Sequence, residues 1–426
     1  MSLLGKAAGF ARSLFRLLPG DLRQWMAPGL RRLYHRQVAS GMPVAARLEE
    51  IDRTLPWGVG VFGYLRAESG VGEGARGSVR SLQAAGVPVR AINVEMEAFA
   101  NRQTALDVPG SRNNPFAVNL VHINADQMAR LHELIGAVNH RGRYTIGYWA
   151  WELAEFPDVL LPALEPLHEV WVPSSFVAAA VSARTGKPVR VMPHPIDVGV
   201  PQLVSRSRFG LPEDVALFLA AVDFNSFAER KNVAGAVAAF RRAFPEGTEK
   251  VHLAIKAHSG RNALRAPRAR LAEAIGDDPR ITVIDRVLPR AEMTELEAAA
   301  DVFVSLHRAE GFGLVIAECM ALGKTVIATD YSGSTDFVAS ECALPVPYRL
   351  VEVGDRAYPF GNGQYWAEPD LEEAARSMRL AAGDPQLRAR LGEAASRRIA
   401  AQLSVEAIGG RMAERLGEIR ALLEGS

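Results

Sequence analysis

The chain has 426 residues, enough for two or three domains with substantial cores. Hydrophobic residues at 48 % and charged residues at 23 % are ordinary for a soluble globular protein, and a net charge of +1 excludes the overall basic character of a nucleic-acid binder. Cys319 and Cys342 are the two cysteines, which excludes a disulfide framework or a cysteine zinc site and fits a reducing cytoplasm; no run of about 18 apolar residues is present to cross a membrane.

Residues 1–50 stand apart. On a helical wheel Ser2, Gly5, Lys6, Gly9, Arg12, Ser13 and Arg16 share one narrow face. Leu3, Leu4, Ala7, Phe10, Leu14, Phe15, Leu17 and Leu18 fill the other. Basic residues continue from Arg23 to Arg47 with no acid among them. Two readings stay open: a peripheral helix on an anionic inner membrane face, or a helix docked on its own domain or a partner subunit.

From Trp57 the chain alternates strand, loop and helix. WGVGVFGYL, VPVRAINV, FAVNLVHIN, YTIGYWAWE, EVWVPS and VRVMPHP read as buried strands. The helical stretches between them include SGVGEGAR onward to residue 85, PDVLLPALEPL and SFVAAAVSART. The stretch from His194 to Gly210 reads as an interdomain linker. A second series follows: VALFLAAVDF, VHLAIKA, ITVIDRV, DVFVSLH and TVIATD as strands, with helices at KNVAGAVAAFRRAF, ARLAEAIG, AEMTELEAAA and GLVIAECMALG. Such alternation predicts parallel sheets covered on both faces. The fold class is therefore α/β, with two doubly wound Rossmann-like domains at 51–198 and 199–403 facing a cleft, and a closing helix over 404–426 placed against the N-terminal domain.

The stretch AEGFGLVIAE, residues 309–318, brackets an apolar turn with two glutamates. Glu310 lies in a strand-to-helix loop, at the cleft rim. Gly311 and Gly313 allow close approach of the backbone, and the helix start offers free N–H groups to an anion. Glu318 is up to about 12 Å further on at helical rise. That span suits a nucleotide diphosphate sugar; an acid favourable to a helix dipole is the other reading.

HRAEGFGLVIAECMALGKTVIATDYSGSTDF resembles the signature of family 4 (group 1) retaining glycosyltransferases of the GT-B fold, with its E-x7-E pattern. ERKNVAGAVAAFRRAF is similar to that family's "KN" helix, and YLRAESGVGEGARG, VHINADQ, GYWAWELAEFPD and EVWVPSSFVAAAV to its N-terminal domain. The resemblance runs from about residue 57 to 400. It implies that Glu310 meets the donor sugar, Glu318 the ribose, and the backbone of Gly311, Phe312, Gly313 and Leu314 the sugar and distal phosphate. It makes Lys231 the phosphate lysine. The family's arginine six residues earlier is Asn225 here, and Arg230 is the candidate replacement.

In the N-terminal half, the resemblance puts Gly70 and Gly72 near the diphosphate; a dinucleotide loop is the alternative, with Glu95 as the nearest ribose acid. His122, at a strand carboxyl end, matches the family's active-site histidine, against a purely structural role. Trp149, Trp151 and Glu152 are candidates for the acceptor site, with one tryptophan of the pair expected in the core by strand alternation. The implied activity is hexose transfer, with retention, from GDP-mannose or a UDP-hexose to a glycan or lipid-linked acceptor. No cofactor or metal is expected; Asp277 and Asp278 read as a turn. A GT-B 2-epimerase and a non-catalytic nucleotide-sugar-binding partner are the rival readings.

Overall fold

The computed structural model describes residues 42–67, 69–95, 112–224, 227–258, 265–354 and 357–425. The basic helix expected within 1–41 and the position of Asn225 lie outside the described residues.

The first domain comprises β1 (Val59–Gly63), α1 (Gly70–Ala84), β2 (Val89–Asn93), β3 (Val118–His122), α2 (Leu131–Ile135), α3 (Ala137–His140), β4 (Tyr144–Tyr148), β5 (Glu169–Val172), α4 (Ser175–Ser182) and β6 (Val189–Val191). Its six strands pair in the order β2-β1-β3-β4-β5-β6, all parallel. Every residue of β1, β3, β4 and β5 is buried, which is why these strands read as continuous apolar runs rather than alternating ones. The PDVLLPALEPL stretch departs from expectation. It is a 3-10 helix, Asp158–Leu164, with Pro162 inside; a proline without an N–H cannot sustain α-helical bonding there.

The second domain repeats the plan with β7 (Ala216–Asp223), α5 (Val233–Ala243), β8 (Val251–His258), α6 (Arg265–Ile275), β9 (Ile281–Asp285), α7 (Arg290–Ala299), β10 (Val302–Ser305), α8 (Leu314–Ala321), β11 (Thr325–Thr329) and β12 (Leu344–Val346). The order is β12-β11-β10-β7-β8-β9, again parallel. An antiparallel ribbon follows, β13 (Tyr348–Glu352) with β14 (Tyr365–Pro369), and then α9 (Leu371–Gly383), α10 (Pro385–Leu403) and α11 (Val405–Gly425).

The last helix packs on α1 of the first domain. Gly409 is the contact point: a Cβ there would stand 2.4 Å from the Ser81 carbonyl oxygen. Arg415 of α11 reaches Glu169, the fully buried first residue of β5, which also accepts from Trp171 Nε1 at 2.6 Å and Tyr144 Oη at 3.1 Å. The linker beginning at His194 is also less loose than its composition suggests. His194 is buried, and the Ile196 N–H donates to the Leu403 carbonyl at 2.7 Å, tying it to the end of α10.

Gly409 and its neighbour Gly410 provide a paired test. Gly409→Ala forces α11 off the α1 backbone and should destabilise by about 1–3 kcal/mol. Gly410→Ala meets nothing within 4 Å and should leave the thermal midpoint unchanged or raise it slightly. Thermal unfolding of the two variants beside the parent reads the difference.

Candidate functional site

Parallel strands deliver their carboxyl ends to one edge, where the chain leaves each strand for a helix. Strand β10 ends at Ser305 and α8 begins at Leu314, so residues 306–313 cross the edge. His307, fully buried, anchors this loop by donating from Nε2 to the Tyr331 carbonyl at 3.1 Å, while Nδ1 lies 3.1 Å from Ser305 Oγ. The Glu310 N–H donates to Ser332 Oγ at 2.9 Å, and its carbonyl accepts from the Gly333 N–H at 2.9 Å. Backbone on both sides of Glu310 is thus fixed before its side chain is considered.

That side chain is 6 % exposed. Arg230 Nη1 donates to Oε2 at 2.9 Å, and Lys231 Nζ pairs with Oε1. Both cations come from the 3-10 turn Ala228–Lys231 after β7, the strand beside β10 in the sheet. Burial alone would raise the carboxyl's pKa; Lys231, Arg230 and His307 overcome it and hold Glu310 at about 2. Glu310 is therefore an ionised, buried carboxylate.

Gly313 begins α8 with φ of +99°, a left-handed conformation that suits glycine, and it offers no side-chain cap. The first N–H groups of α8 lack intrahelical acceptors by helix geometry. Gly311 lies so near the other domain that a Cβ would stand 3.0 Å from the Trp151 carbonyl oxygen. Its own carbonyl accepts from Ser174 Oγ at 2.7 Å.

Glu318, buried on α8, pairs with Arg290 Nη2 of α7 at 2.8 Å. Behind it Glu297 is wholly buried, and neither of its oxygens has a hydrogen-bond partner among the described residues. Burial, reinforced by the charge of Glu318 and opposed by Arg290, pushes Glu297 well above the usual carboxylate range. Burial raises Glu318 as well, with the charge and hydrogen bond of Arg290 opposing it, so Glu297 is the member of the pair displaced further towards the neutral form.

The opposite wall belongs to the first domain. His122 ends β3, stacked on Tyr148 with ring centroids 4.2 Å apart, and its Nε2 has no hydrogen-bond partner among the described residues. Burial, with His194 adding to it, keeps the imidazole neutral far below the usual histidine range. Tyr148 Oη donates to the Met192 carbonyl at 2.6 Å and lies 3.2 Å from His194 Nδ1. His194 in turn meets Phe312 edge-on at 5.1 Å. Gly70 opens α1 with Leu314 as its nearest neighbour, at 3.4 Å from a built Cβ; the Gly72 N–H donates to Ser69 Oγ at 3.1 Å.

The tryptophans require a correction. Trp149 is fully buried and lies parallel to Phe156 at 5.7 Å, so its face is core and cannot line an acceptor site. Trp151 is also buried, edge-on to Phe156 and Tyr358, with Nε1 donating to the Glu155 carbonyl at 2.9 Å. Glu152 does reach the cleft, within 3.7 Å of Arg230 and accepting from Tyr358 Oη. The structure therefore brings together Glu310, Arg230, Lys231, Glu152, Gly311, Phe312 and the start of α8. Arg290, Glu297, Ser174, Ser332, His307 and Tyr358 were missed; of these, Arg290 alone had a visible signal, a cation opening a helix after a strand. Asp278 lies in a turn and pairs with Arg280 at 2.8 Å. Among the described residues no group of three His, Cys, Asp or Glu side chains is placed to hold a metal, and no helix is long and apolar enough to cross a membrane.

Two parallel six-stranded domains meeting at this edge have solved counterparts. A sucrose-phosphate synthase from Thermosynechococcus elongatus superposes with a TM-score of 0.63 at 18 % identity, covering 86 % of this chain and 100 % of that one. HepE from Anabaena, solved with UDP and glucose, gives 0.60 at 15 %, covering 85 % and 100 %. A glycosyltransferase from Rickettsia africae gives 0.60 at 14 %, covering 85 % and 98 %. The fold is GT-B. Residues 213–357, the greater part of the second GT-B domain, match the family described as Glycosyl transferases group 1. No curated protein matches the chain in sequence.

The Glu310 cluster makes a pH prediction. Its folded carboxyl sits at about 2 against an ordinary 4.5, so the stability it contributes is complete above pH 4.5 and is lost as pH falls towards 2. Across that window the thermal midpoint of Glu310→Gln should fall less steeply than that of the parent protein.

Proposed function

We propose that this protein is a retaining hexosyltransferase, moving a sugar from a nucleotide diphosphate donor to a glycan or lipid-linked acceptor in surface-polysaccharide synthesis. The observation that carries the reading is the ionised Glu310 held between Arg230 and Lys231 beside the uncapped start of α8. Two cations and a helix start suit a leaving diphosphate. A fixed carboxylate beside them suits the positive charge that grows on the sugar ring as the bond to that phosphate breaks.

In this reading the diphosphate lies over Lys231, Arg230 and the backbone of Gly313 and Leu314. The sugar lies against Glu310 and His122, and the ribose hydroxyls take Glu318 in place of Arg290. The acceptor hydroxyl attacks from the face the diphosphate leaves, and a departing phosphate oxygen takes its proton. The reaction draws its positive charge from protein groups, so we assign it no metal. Of donors, GDP-mannose ranks first and a UDP-hexose second, following the family resemblance. Residues 1–50 hold the cleft at the inner face of an anionic membrane, where a lipid-linked acceptor is presented.

A thermal-shift panel of GDP, GDP-mannose, UDP and UDP-glucose tests the donor. A ligand of the native state raises the midpoint, and silence from all four at millimolar concentration would sink the reading. With the donor found, Glu310→Gln should lower transfer by about 10²–10³-fold, the loss expected when one preorganised electrostatic group is removed. For the membrane, flotation with anionic liposomes should recover the full chain and lose a form lacking residues 1–50; equal recovery removes that part.

A further inference from the structure

Arg230 is drawn in two directions. Nη1 meets Glu310 at 2.9 Å, and Nη2 lies 3.7 Å from Glu152 Oε1. Glu310 shares a domain with Arg230, but Glu152 does not, so the second contact crosses the cleft. The other oxygen of Glu152 accepts from Tyr358 Oη, again across the cleft. Tyr358 is 8 % exposed and stands in the connection between β13 and β14, edge-on to Trp151 at 5.7 Å and tilted against Phe227 at 5.1 Å. The ribbon joins neither main sheet. Its contacts with the first domain instead include Tyr358 on Glu152 and Gln364 Oε1, which accepts the Glu155 N–H at 3.1 Å.

The charges in this cluster balance without a ligand: Arg230 and Lys231 against Glu310 and Glu152. All four side chains are less than a quarter exposed. An incoming diphosphate must therefore take Arg230 from carboxylates that already hold it. Glu310 keeps Lys231 when this happens. Glu152 would be left as a largely buried carboxylate, which is costly unless another donor serves it. Tyr358 is that donor, already in place.

Resting on the nucleotide-sugar reading above, we propose that Glu152 and Tyr358 are positioning residues for donor binding. Glu152 holds Arg230 across the cleft in the unliganded protein. Tyr358 keeps Glu152 satisfied once the diphosphate claims Arg230. The two residues then have opposite effects on affinity, although they touch each other. Removing the charge of Glu152 frees Arg230 and strengthens diphosphate binding. Removing the hydroxyl of Tyr358 leaves Glu152 dependent on Arg230 and weakens it.

Isothermal titration of the full chain with GDP and with UDP tests this in the parent, Glu152→Gln, Tyr358→Phe and the double variant. Both substitutions keep side-chain shape, and the phenylalanine keeps the ring contact with Trp151. For whichever diphosphate binds the parent more tightly, Glu152→Gln should tighten binding about fivefold and Tyr358→Phe should weaken it about fivefold, the scale of one charged hydrogen bond partly offset by solvent. In the double variant the loss should vanish, because no charge remains for Tyr358 to serve. A general structural role would move all variants towards weaker binding. Weaker binding by Glu152→Gln, a Tyr358→Phe loss that persists in the double variant, or unchanged affinities throughout would each overturn the exchange while leaving the transferase reading intact. Failure of both diphosphates to bind the parent at millimolar concentration would overturn the two together.

Discussion

The ion pairs of Glu310 are the constraint on which the site depends. A buried carboxylate is tolerated when cations and hydrogen bonds replace the water it has lost. Here the cations arrive from 80 residues earlier in the chain, because β7 and β10 are neighbours in the sheet although three helices and two strands separate them in sequence. The sheet order therefore fixes the charge balance of the site. Were β10 not beside β7, Arg230 and Lys231 would not reach Glu310, and burial would push its carboxyl upward. The loop after β11 completes the arrangement by holding the Glu310 backbone from the other side, through Ser332 and Gly333.

The same loop geometry makes the cleft a tightly matched seam. The Gly311 carbonyl accepts from Ser174, and Asp336 accepts from the Ser175 N–H at 2.8 Å. Phe312 meets His194, which touches Tyr148, on which His122 is stacked. A row of rings thus joins the glycine-rich turn of one domain to the strand end of the other. Neutral imidazoles are what such a row requires, and burial supplies them: His194 titrates at about 4, with burial outweighing the opposing charge of Glu73.

Legibility from sequence followed the range of each interaction. Strands buried on both faces appear as apolar runs, so the two sheets could be read off directly. The Glu310 to Glu318 spacing is local to one loop and one helix, and it was equally plain. The partners of Glu318 and Glu152 were less visible, because Arg290–Glu318 and Glu152–Tyr358 join separate elements of the chain. Glu297 looks like an ordinary surface acid of an amphipathic helix; its burial comes from packing between elements, which helical periodicity does not reveal. The β13–β14 ribbon escaped for the opposite reason. Tyr348–Glu352 is mostly exposed, so it carries no alternating apolar face to mark a strand. Trp149 and Trp151 are both buried. Residues two apart on a strand share a face, so alternation gives no reason to split the pair, and the strand has in any case ended at Tyr148.

The return of α11 changes what counts as the first domain. With Arg415 on Glu169 and Gly409 against Ser81, the last helix belongs physically to the N-terminal half. The chain therefore crosses between the halves twice, once after His194 and once between α10 and α11. These crossings are joined by the hydrogen bond from the Ile196 N–H to the Leu403 carbonyl. Two adjacent, bonded crossings resist sliding and twisting more than a single strand of chain does. They leave rotation about a line through that contact as the least costly relative motion. Such a rotation would part Gly311 from Ser174, and Glu152 from Arg230 and Tyr358, together. In the proposed function, donor access and exposure of the glycine-rich turn are then parts of one movement.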